Sequence, residues 1–354
     1  MKHLPKIENW LHEQWSHIGL FSTLLLPFSG IFWVASRIKK QRNPAKQLPV
    51  PVVVVGNIYV GGTGKTPVTI TLVRELQKRG WHPGIISRGF GRSEADILLV
   101  TDKSEANEVG DEPLLIYRET QAPVAVGAHR YEAGQRLLAE HPEIDVIVSD
   151  DGLQHHALAR DFEIAVVGTR GLGNGLLLPA GPLREPPSRL DSVDAIVLNA
   201  PNEVIVKSRT PRYAASSTFG RCWQLSTGQS SRIDELSERI RTEHLKALAA
   251  AGIASPGRFF AMVRAHDIEC QTLELGDHFN FETNPFVSRY EDIIFITGKD
   301  AVKCANIPEL ASDHRLWVVE LDMHIDAYLI DSIEAVLKAK STKKTSPCSH
   351  SLPN

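Results

Sequence analysis

The sequence predicts an α/β protein with a doubly wound, mainly parallel sheet, and two observations indicate it. Apolar runs of strand length alternate with segments of helical spacing from Val50 to Leu198, as in consecutive strand–helix–strand units. The first apolar run leads directly into a glycine-rich loop, Gly56–Thr66, and then into a helical segment, Val68–Arg79. Because such sheets bind ligands at the carboxyl ends of their strands, we expect a site at this loop.

The loop reads GNIYVGGTGKT and has the features of a phosphate-binding loop. Its three central glycines let successive backbone N–H groups point at one anion, and the following helix adds the positive end of its dipole. Lys65 can reach the β- and γ-phosphates of ATP, and the Thr66 hydroxyl can hold Mg²⁺. Tyr59 departs from the usual pattern, because the first glycine would stand there. The expected nucleotide-binding residues are Gly61, Gly62, Thr63, Gly64, Lys65 and Thr66.

A second metal-binding element follows the apolar run Ile144–Ser149, which ends in Asp150-Asp151. An acid at the carboxyl end of a buried strand can hold Mg²⁺ in a phosphoryl-transfer site. Adjacent carboxylates repel each other unless a cation lies nearby, so we expect Asp150 and Asp151 to serve the metal; which of them contacts it is left open. Asp111 and Glu112 stand at the start of an apolar helix, and the residues alone favour a helix-capping role for them.

The composition limits the classes of function. With 354 residues the chain has room for two domains, and 42% hydrophobic and 23% charged residues are ordinary for a globular protein. The net charge of −3 argues against a nucleic-acid partner. The four cysteines are far apart and form no C-x-x-C pair, which argues against zinc and against a disulfide framework. We predict no obligate protein partner.

The N-terminal stretch Ile18–Val34 is apolar and uncharged, and a basic cluster follows it: Arg37, Lys39, Lys40, Arg42 and Lys46. The stretch is slightly short for a spanning helix, which needs about 20 apolar residues, and it contains Pro27 and Gly30. We favour a helix or helical hairpin lying in the membrane interface, with the basic cluster on anionic headgroups. The alternative is a buried core helix of a soluble protein. Whether the helix spans or lies flat is left open.

The order of segments predicts five parts. They are the N-terminal helix with its basic flank (1–47), a P-loop domain (48–220), a smaller α/β domain (221–315), a last strand and helix for which a return to the first domain is left open (316–338), and a disordered tail rich in Ser, Thr, Lys and Pro (339–354). In the smaller domain we expect a helix over His244–Ala251 and a strand over Arg258–Val263.

The ordered motifs resemble those of the tetraacyldisaccharide 4′-kinases of lipid A biosynthesis. Each motif is weak alone, but seven in order are specific. They are GNIYVGGTGKTP (Gly56–Pro67), SRGFGR (Ser87–Arg92), GDEP (Gly110–Pro113), DDGLQH (Asp150–His155), GNGLLLPAGPLREP (Gly173–Pro186), GDHFNF (Gly276–Phe281) and KDAVKC (Lys299–Cys304).

The resemblance implies a P-loop NTPase-like domain and a smaller C-terminal domain flanking one active site, on the cytoplasmic face of the bacterial inner membrane. It implies transfer of the γ-phosphate of ATP, with Mg²⁺, to the 4′-hydroxyl of a tetraacyl glucosamine disaccharide 1-phosphate, giving lipid IVA. By resemblance, Glu185 is a further metal-side carboxylate. Asp111 becomes the base, paired with His278 of the smaller domain, in place of the capping role.

Two residues depart from the family pattern: Gly298 stands where the family usually has Glu, and Phe90 stands where Tyr is common. The consequence of each is left open. Two other functions are also left open. One is a membrane-recruited regulatory P-loop ATPase, which needs a positioned water rather than a base such as Asp111 with His278. The other is a soluble small-molecule kinase with a buried N-terminal helix.

Overall fold

The computed structural model describes residues 10–42, 44–89, 96–200 and 204–345. Within these residues thirteen strands form one sheet, in the order β11-β10-β12-β13-β8-β7-β6-β1-β5-β2-β4-β3, with β9 paired to β8. The first seven are β1 (Val52–Gly56), β2 (Pro83–Ser87), β3 (Leu98–Leu99), β4 (Val124–Val126), β5 (Val146–Asp150), β6 (Phe162–Gly168) and β7 (Ala195–Asn199). The others are β8 (Arg212–Gln224), β9 (Ser230–Ser231), β10 (Ala247–Ala251), β11 (Cys270–Glu274), β12 (Ile293–Thr297) and β13 (Leu316–Ile325).

Helices cover both faces of this sheet. Those of the first half are α1 (Leu20–Arg42), α2 (Lys65–Lys78), α3 (Ala106–Val109), α4 (Asp111–Thr120) and α5 (Arg130–Glu140). Those of the second half are α6 (Ile233–Thr242), α7 (Pro256–Arg264), α8 (Gly298–Cys304), α9 (Pro308–Ala311) and α10 (Ala327–Thr345). All strand pairs are parallel except β3 with β4, β8 with β9 and β8 with β13. The predicted doubly wound, mainly parallel fold is confirmed.

The two halves share the sheet through one long strand. The start of β8 pairs with β7 in parallel, and its remainder pairs with β13 in antiparallel. The first half buries apolar residues on both faces of its strands, and the second half does the same with its own set. The last helix, α10, packs Leu329, Ile333 and Leu337 into the core of the first half. The division into domains at 220 and 315 stays a prediction, and the geometry supports a return of this helix to the first half.

Two predicted elements of the second half are wrong. Ala247–Ala251 is a strand rather than part of a helix, and Arg258–Val263 lies in helix α7 rather than in a strand. Alanine has high helix propensity, but small side chains here let a central strand be buried on both faces. In α7, Pro256 suits a first helical turn, and Phe259, Phe260 and Val263 form a single buried face.

The last helix extends into the segment that was predicted to be disordered. Helix α10 runs to Thr345, so the prediction of disorder is wrong for 339–345. Residues 346–354 lie outside the described residues, as does Phe90 of the family comparison.

Helix α1 presents its apolar side chains outward. Leu24 and Ile31 are each 66% exposed, and only 11% of the apolar window Leu20–Gln41 is buried. The buried face carries Ser22 and Ser29, seven residues apart. Ser29 Oγ donates to Leu177 O over 2.8 Å, and Ser22 Oγ accepts from Asn174 Nδ2 over 3.0 Å. A buried core helix is therefore the wrong alternative, and residues 10–14, which are also helical, precede α1 across a short turn.

Candidate active site

The phosphate-binding loop has the backbone that its glycines permit. Gly61 has φ 102° and Gly64 has φ 85°, both in the left-handed region that favours glycine. Gly64 caps helix α2, so Lys65 and Thr66 form its first turn. A Cβ at Gly64 would also clash with the amide of Asn199. The loop therefore requires glycine at this position for two independent reasons.

Two asparagines brace the loop from behind. Asn57 Nδ2 donates to Thr63 Oγ1 over 3.0 Å, and Asn199 Nδ2 donates to Thr63 O over 3.1 Å. Arg258 of helix α7 donates to Asn199 Oδ1 over 2.7 Å. Tyr59, which departs from the usual loop pattern, is buried, and its hydroxyl lies 3.2 Å from His12 Nδ1. The tyrosine thus fastens the N-terminal segment to the loop.

The strand β5 places Asp150 and Asp151 beside this loop. Asp150 is buried; its oxygens accept from Thr69 Oγ1 at 3.1 Å and Ser87 Oγ at 3.3 Å. Burial, together with the charges of Glu112 and Asp151, raises the pKa of Asp150 to about 7. Asp151 differs: burial opposes its charge, but Lys65 at 3.5 Å and Arg184 at 3.2 Å hold its pKa below the usual value. Asp151 is thus paired with two cations, whereas Asp150 contacts no cationic side chain among the described residues.

Glu185 is connected to these acids indirectly, through other side chains. Its Oε1 accepts from Gln154 Nε2 over 2.7 Å, and its Oε2 forms an ion pair with Arg189 Nε at 3.3 Å. Gln154 Oε1 in turn accepts from Arg184 Nη1, which binds Asp151. Glu185 is therefore linked to Asp151 through two intervening side chains. Among the described residues, no three His, Cys, Asp or Glu side chains are grouped closely enough to form a protein-only metal site.

The two residues that the resemblance pairs are in contact. His278 Nδ1 lies 2.9 Å from Asp111 Oδ2, and the pair joins helix α4 of the first half to the β11–β12 connection of the second. Burial alone would raise the pKa of Asp111. The hydrogen bond from His278 and the charges of Lys299 and Lys303 instead hold that pKa well below its usual value. Asp111 is therefore an ionised, 6% exposed carboxylate at neutral pH.

Two lysines of helix α8 complete this cluster, and neither was predicted as a site residue. Lys303 Nζ lies 3.5 Å from Asp111 Oδ2, and Lys299 Nζ lies 3.2 Å from both Glu112 and Asp277. Both belong to the motif KDAVKC, and that motif was the sequence signal from which they could have been identified as site residues. Gly298 opens the helix, and a Cβ there would make an ordinary 3.4 Å contact with Leu115. The position therefore has room for a Cβ.

One cavity of about 1520 Å³ connects the phosphate and base ends of this site. Its walls are the phosphate-binding loop, the acids after β5, the Asp111–His278 pair and the final turns of helix α1, with Trp33, Arg37 and Lys40. Asn199 and Arg258 also line it and were missed, because a lone Asn and a lone Arg carry no sequence signal. The predicted site residues from Gly61 to Thr66, and Asp111, Asp150, Asp151, Glu185 and His278, all reach this cavity.

The chain is similar to known proteins over most of its length. The family model described as tetraacyldisaccharide-1-P 4′-kinase matches residues 21–338. The chain belongs to the tetraacyldisaccharide-1-P 4′-kinase family. The membership inferred from the seven motifs is therefore confirmed, and with it the class of enzyme, a kinase.

Individual members of the tetraacyldisaccharide-1-P 4′-kinase family are similar over nearly the whole chain. The tetraacyldisaccharide 4′-kinase of Herminiimonas arsenicoxydans is 43% identical over 349 residues, covering 95% of this chain and 97% of the relative. That of Bordetella parapertussis is 45% identical over 350 residues, covering 93% and 96%. A crystal structure of LpxK from Aquifex aeolicus in complex with ATP is 26% identical, with a TM-score of 0.74 over 90% of this chain and 100% of that chain.

Proposed function

We propose that this chain transfers the γ-phosphate of ATP to the 4′-hydroxyl of a tetraacyl glucosamine disaccharide 1-phosphate, giving lipid IVA. One observation carries the proposal. The phosphate-binding loop, the ionised Asp111 and the exposed apolar helix α1 border the same cavity. An enzyme that transfers phosphate from a water-soluble nucleotide to an acylated sugar needs these three walls together.

The residues divide the reaction between them. The loop amides and Lys65 bind the β- and γ-phosphates and stabilise the charge that develops on them. Asp111 takes the proton of the 4′-hydroxyl while that oxygen bonds to the γ-phosphorus, and the bond from phosphorus to the bridging oxygen of ADP breaks. His278 holds Asp111 in place. Because His278 comes from the second half, the complete site depends on how the two halves are placed, which limits transfer to water.

Magnesium fits the same arrangement. Buried Asp150, whose charge is unfavourable without a nearby cation, and the Thr66 hydroxyl at the helix start are oxygen ligands of the kind Mg²⁺ takes beside substrate phosphates. We propose that Thr66, Asp150 and Asp151 hold the ion, and that Glu185 acts on it through Gln154 and Arg184. A bound Mg²⁺ would neutralise charge on the β- and γ-phosphates.

The decisive variant is Asp111→Asn, which keeps the shape of the side chain and removes its basicity. We expect kcat to fall about 10²–10⁴-fold, the usual contribution of a positioned base. Labelled γ-phosphate transfer from Mg-ATP in detergent micelles, with and without the tetraacyl disaccharide 1-phosphate, measures it. ATP binding should be retained, because Asp111 does not contact the loop.

Label that appears only as free phosphate, whether or not the lipid is present, would contradict the kinase proposal and favour the regulatory ATPase. Unchanged transfer by Asp111→Asn would remove Asp111 from the mechanism while leaving the kinase in place. The exposed acid Glu108, three residues earlier, supplies the matched control: Glu108→Gln should leave transfer unchanged.

We also propose that helix α1 lies against the cytoplasmic face of the bacterial inner membrane. The helix packs against the rest of the protein through the face that carries Ser22 and Ser29. Its other face exposes Leu24, Phe28 and Ile31, which is unfavourable in water. Arg37, Lys39 and Lys40 near its end are suited to anionic headgroups. The lipid substrate would then enter the cavity from this side.

The variant Leu24→Ser tests the membrane proposal. Burying one such side chain is worth about 1.5–3 kcal/mol, so we expect binding to vesicles of phosphatidylethanolamine and phosphatidylglycerol to weaken roughly 10- to 100-fold. Sedimentation with the vesicles measures it. Tyr328→Ser, which changes another exposed apolar side chain away from α1, is the control. Equal binding by wild type and Leu24→Ser would contradict this use of the helix.

A further inference from the structure

His278 has partners on both sides of its ring. On one side Nδ1 lies 2.9 Å from Asp111 Oδ2. On the other side Nε2 lies 3.4 Å from Lys299 Nζ, within hydrogen-bonding geometry. The ring therefore stands between a carboxylate, which accepts protons, and an ammonium, which only donates them.

This arrangement restricts where the ring proton can lie. An ammonium has no lone pair, so a hydrogen bond between Lys299 and Nε2 requires Nε2 to be the acceptor. The proton of the neutral imidazole must then lie on Nδ1, where it is donated to Asp111. In the opposite tautomer, Nδ1 would turn its lone pair toward the carboxylate. That contact would hold only if Asp111 took up a proton, and Asp111 would then no longer be a base.

We propose that Lys299 is a positioning residue that fixes His278 in the Nδ1-protonated tautomer and thereby keeps Asp111 ionised and oriented. The proposal rests on the proposed function, since it concerns the same base. It assigns to the α8 motif a role distinct from substrate binding: Lys299 acts on the reaction through the imidazole.

Lys299 is itself held in place. Its side chain is 14% exposed, and it forms ion pairs at 3.2 Å with Glu112 and with Asp277. Helix α8 is fixed at its start, because Thr297 Oγ1 accepts from the backbone N–H of Asp300 over 3.2 Å, and buried Asp300 accepts from the N–H of Gly252. Burial lowers the pKa of Lys299, but Glu112, Asp111 and Asp277 raise it above the usual value. The ammonium is therefore charged throughout the neutral range.

The charged groups around the ring come from three elements: Asp111 and Glu112 of α4, Asp277 beside His278, and Lys299 and Lys303 of α8. Asp277 is the one that could favour the opposite tautomer, because its Oδ2 lies 3.9 Å from Nε2. That distance is beyond a hydrogen bond, and its other oxygen is bound to Lys299. Lys299 Nζ lies closer to Nε2 than Asp277 Oδ2 does, so Lys299 decides the tautomer.

The test compares Lys299→Met with wild type in the full chain, in detergent. In ¹⁵N-histidine spectra, assigned by the signal lost in His278→Gln, wild type should show a protonated Nδ1 and a bare Nε2. The Met variant should show the Nε2-protonated form or a mixture. We expect kcat to fall about 10- to 100-fold, as when a partner orienting a ligating histidine is lost, with KM for ATP unchanged. Lys299→Arg, which keeps a donor, should restore part of kcat.

The tautomer, read together with the pH profile, separates this role from a purely electrostatic one. Lys299 lowers the pKa of Asp111, so its removal raises that pKa and moves the acidic limb of kcat to higher pH. Lys303→Met is the matched control. Lys303 lies 3.5 Å from Asp111 but has no described hydrogen bond to His278, so it should move the limb without changing the tautomer.

Two results would overturn the proposal: a wild-type His278 protonated on Nε2, or an unchanged tautomer in Lys299→Met. Both are measured without substrate. A failure of the proposed kinase reaction would instead leave the tautomer as described and abolish lipid labelling in wild type, so the two failures are distinguishable. Thermal unfolding of each variant separates a loss of fold from a loss of positioning.

Discussion

The two ends of the cavity are built in different ways. The phosphate end is almost entirely local: one strand, one loop and the first turn of one helix, all within 52–68, supply the amides, Lys65 and Thr66. The base end is assembled from α4 and from residues of the second half that lie 167 positions away or more. A nucleotide site can therefore be complete in a single stretch of chain. The base, in contrast, acquires its partners only when both halves of the sheet have formed.

The ends also differ in their electrostatics. At the phosphate end, backbone dipoles and Lys65 face the cavity, an arrangement that suits a polyanion. At the base end, the carboxylates of Asp111, Glu112 and Asp277 are matched by Lys299 and Lys303, so most of the charge is already compensated. The first end is arranged to bind a ligand and the second to hold one carboxylate in one state.

Removing Lys65 should have the largest effect on the phosphate end, because it should damage both binding and turnover. For Lys65→Met we expect transfer to fall about 10²–10³-fold, since one preorganised donor to developing charge is lost. The measurement is ATP affinity by calorimetry together with γ-phosphate transfer. Lys78→Met, an exposed lysine of the same helix, is the control. Normal ATP affinity in Lys65→Met would mean that the loop binds phosphate without its lysine.

Removing His278 should affect only the base end. For His278→Gln we expect kcat to fall less than in Asp111→Asn, roughly 10- to 100-fold, with ATP affinity retained. The lost hydrogen bond normally lowers the pKa of Asp111, so that pKa rises and activity is lost at a higher pH as the solution is acidified. A pH series of kcat measures it. A change in ATP affinity of the size seen with Lys65→Met would show that the two ends are not separate.

The same contrast explains what the sequence could predict. The parallel fold, the loop from Gly61 to Thr66 and the acids after β5 follow from local patterns of glycine, apolar runs and carboxylates. The Asp111–His278 pair was reached through family resemblance; from the residues alone Asp111 read as a helix cap. Gly110 is the N-cap of α4, and Asp111 lies in the first turn, where an acid also suits the helix dipole, so local chemistry could not distinguish the two roles.

Other features could not be predicted because they depend on tertiary contacts. Ala247–Ala251 has helical propensity, and it forms a strand where β11 and β12 pair with its two edges. The Tyr59 hydroxyl meets His12, 47 positions earlier, so its departure from the loop pattern is explained only in the folded chain. Asn199 and Arg258 belong to the site through contacts that no sequence spacing encodes.

Those last two residues connect the ends, and breaking their contact should have the smallest effect. Arg258 of α7 donates to Asn199 Oδ1, and Asn199 Nδ2 donates to the Thr63 carbonyl of the loop, so the second half of the sheet braces the phosphate end. One hydrogen bond is worth about 0.5–1.5 kcal/mol net, so Arg258→Met should raise KM for ATP about 2- to 10-fold. Steady-state kinetics at saturating lipid measure it.

The control for this variant is Arg264→Met, an exposed arginine at the end of the same helix. It removes an equal charge from α7 without touching Asn199, so KM for ATP should not change. If both variants raise KM equally, the general positive charge of α7 attracts the nucleotide, and the ends are coupled by electrostatics at a distance. If only Arg258→Met does so, with kcat unchanged, the coupling runs through Asn199 to the loop backbone and leaves Asp111 undisturbed. The base end would then depend on the second half for its own lysines and histidine, and the phosphate end would depend on it for a single brace.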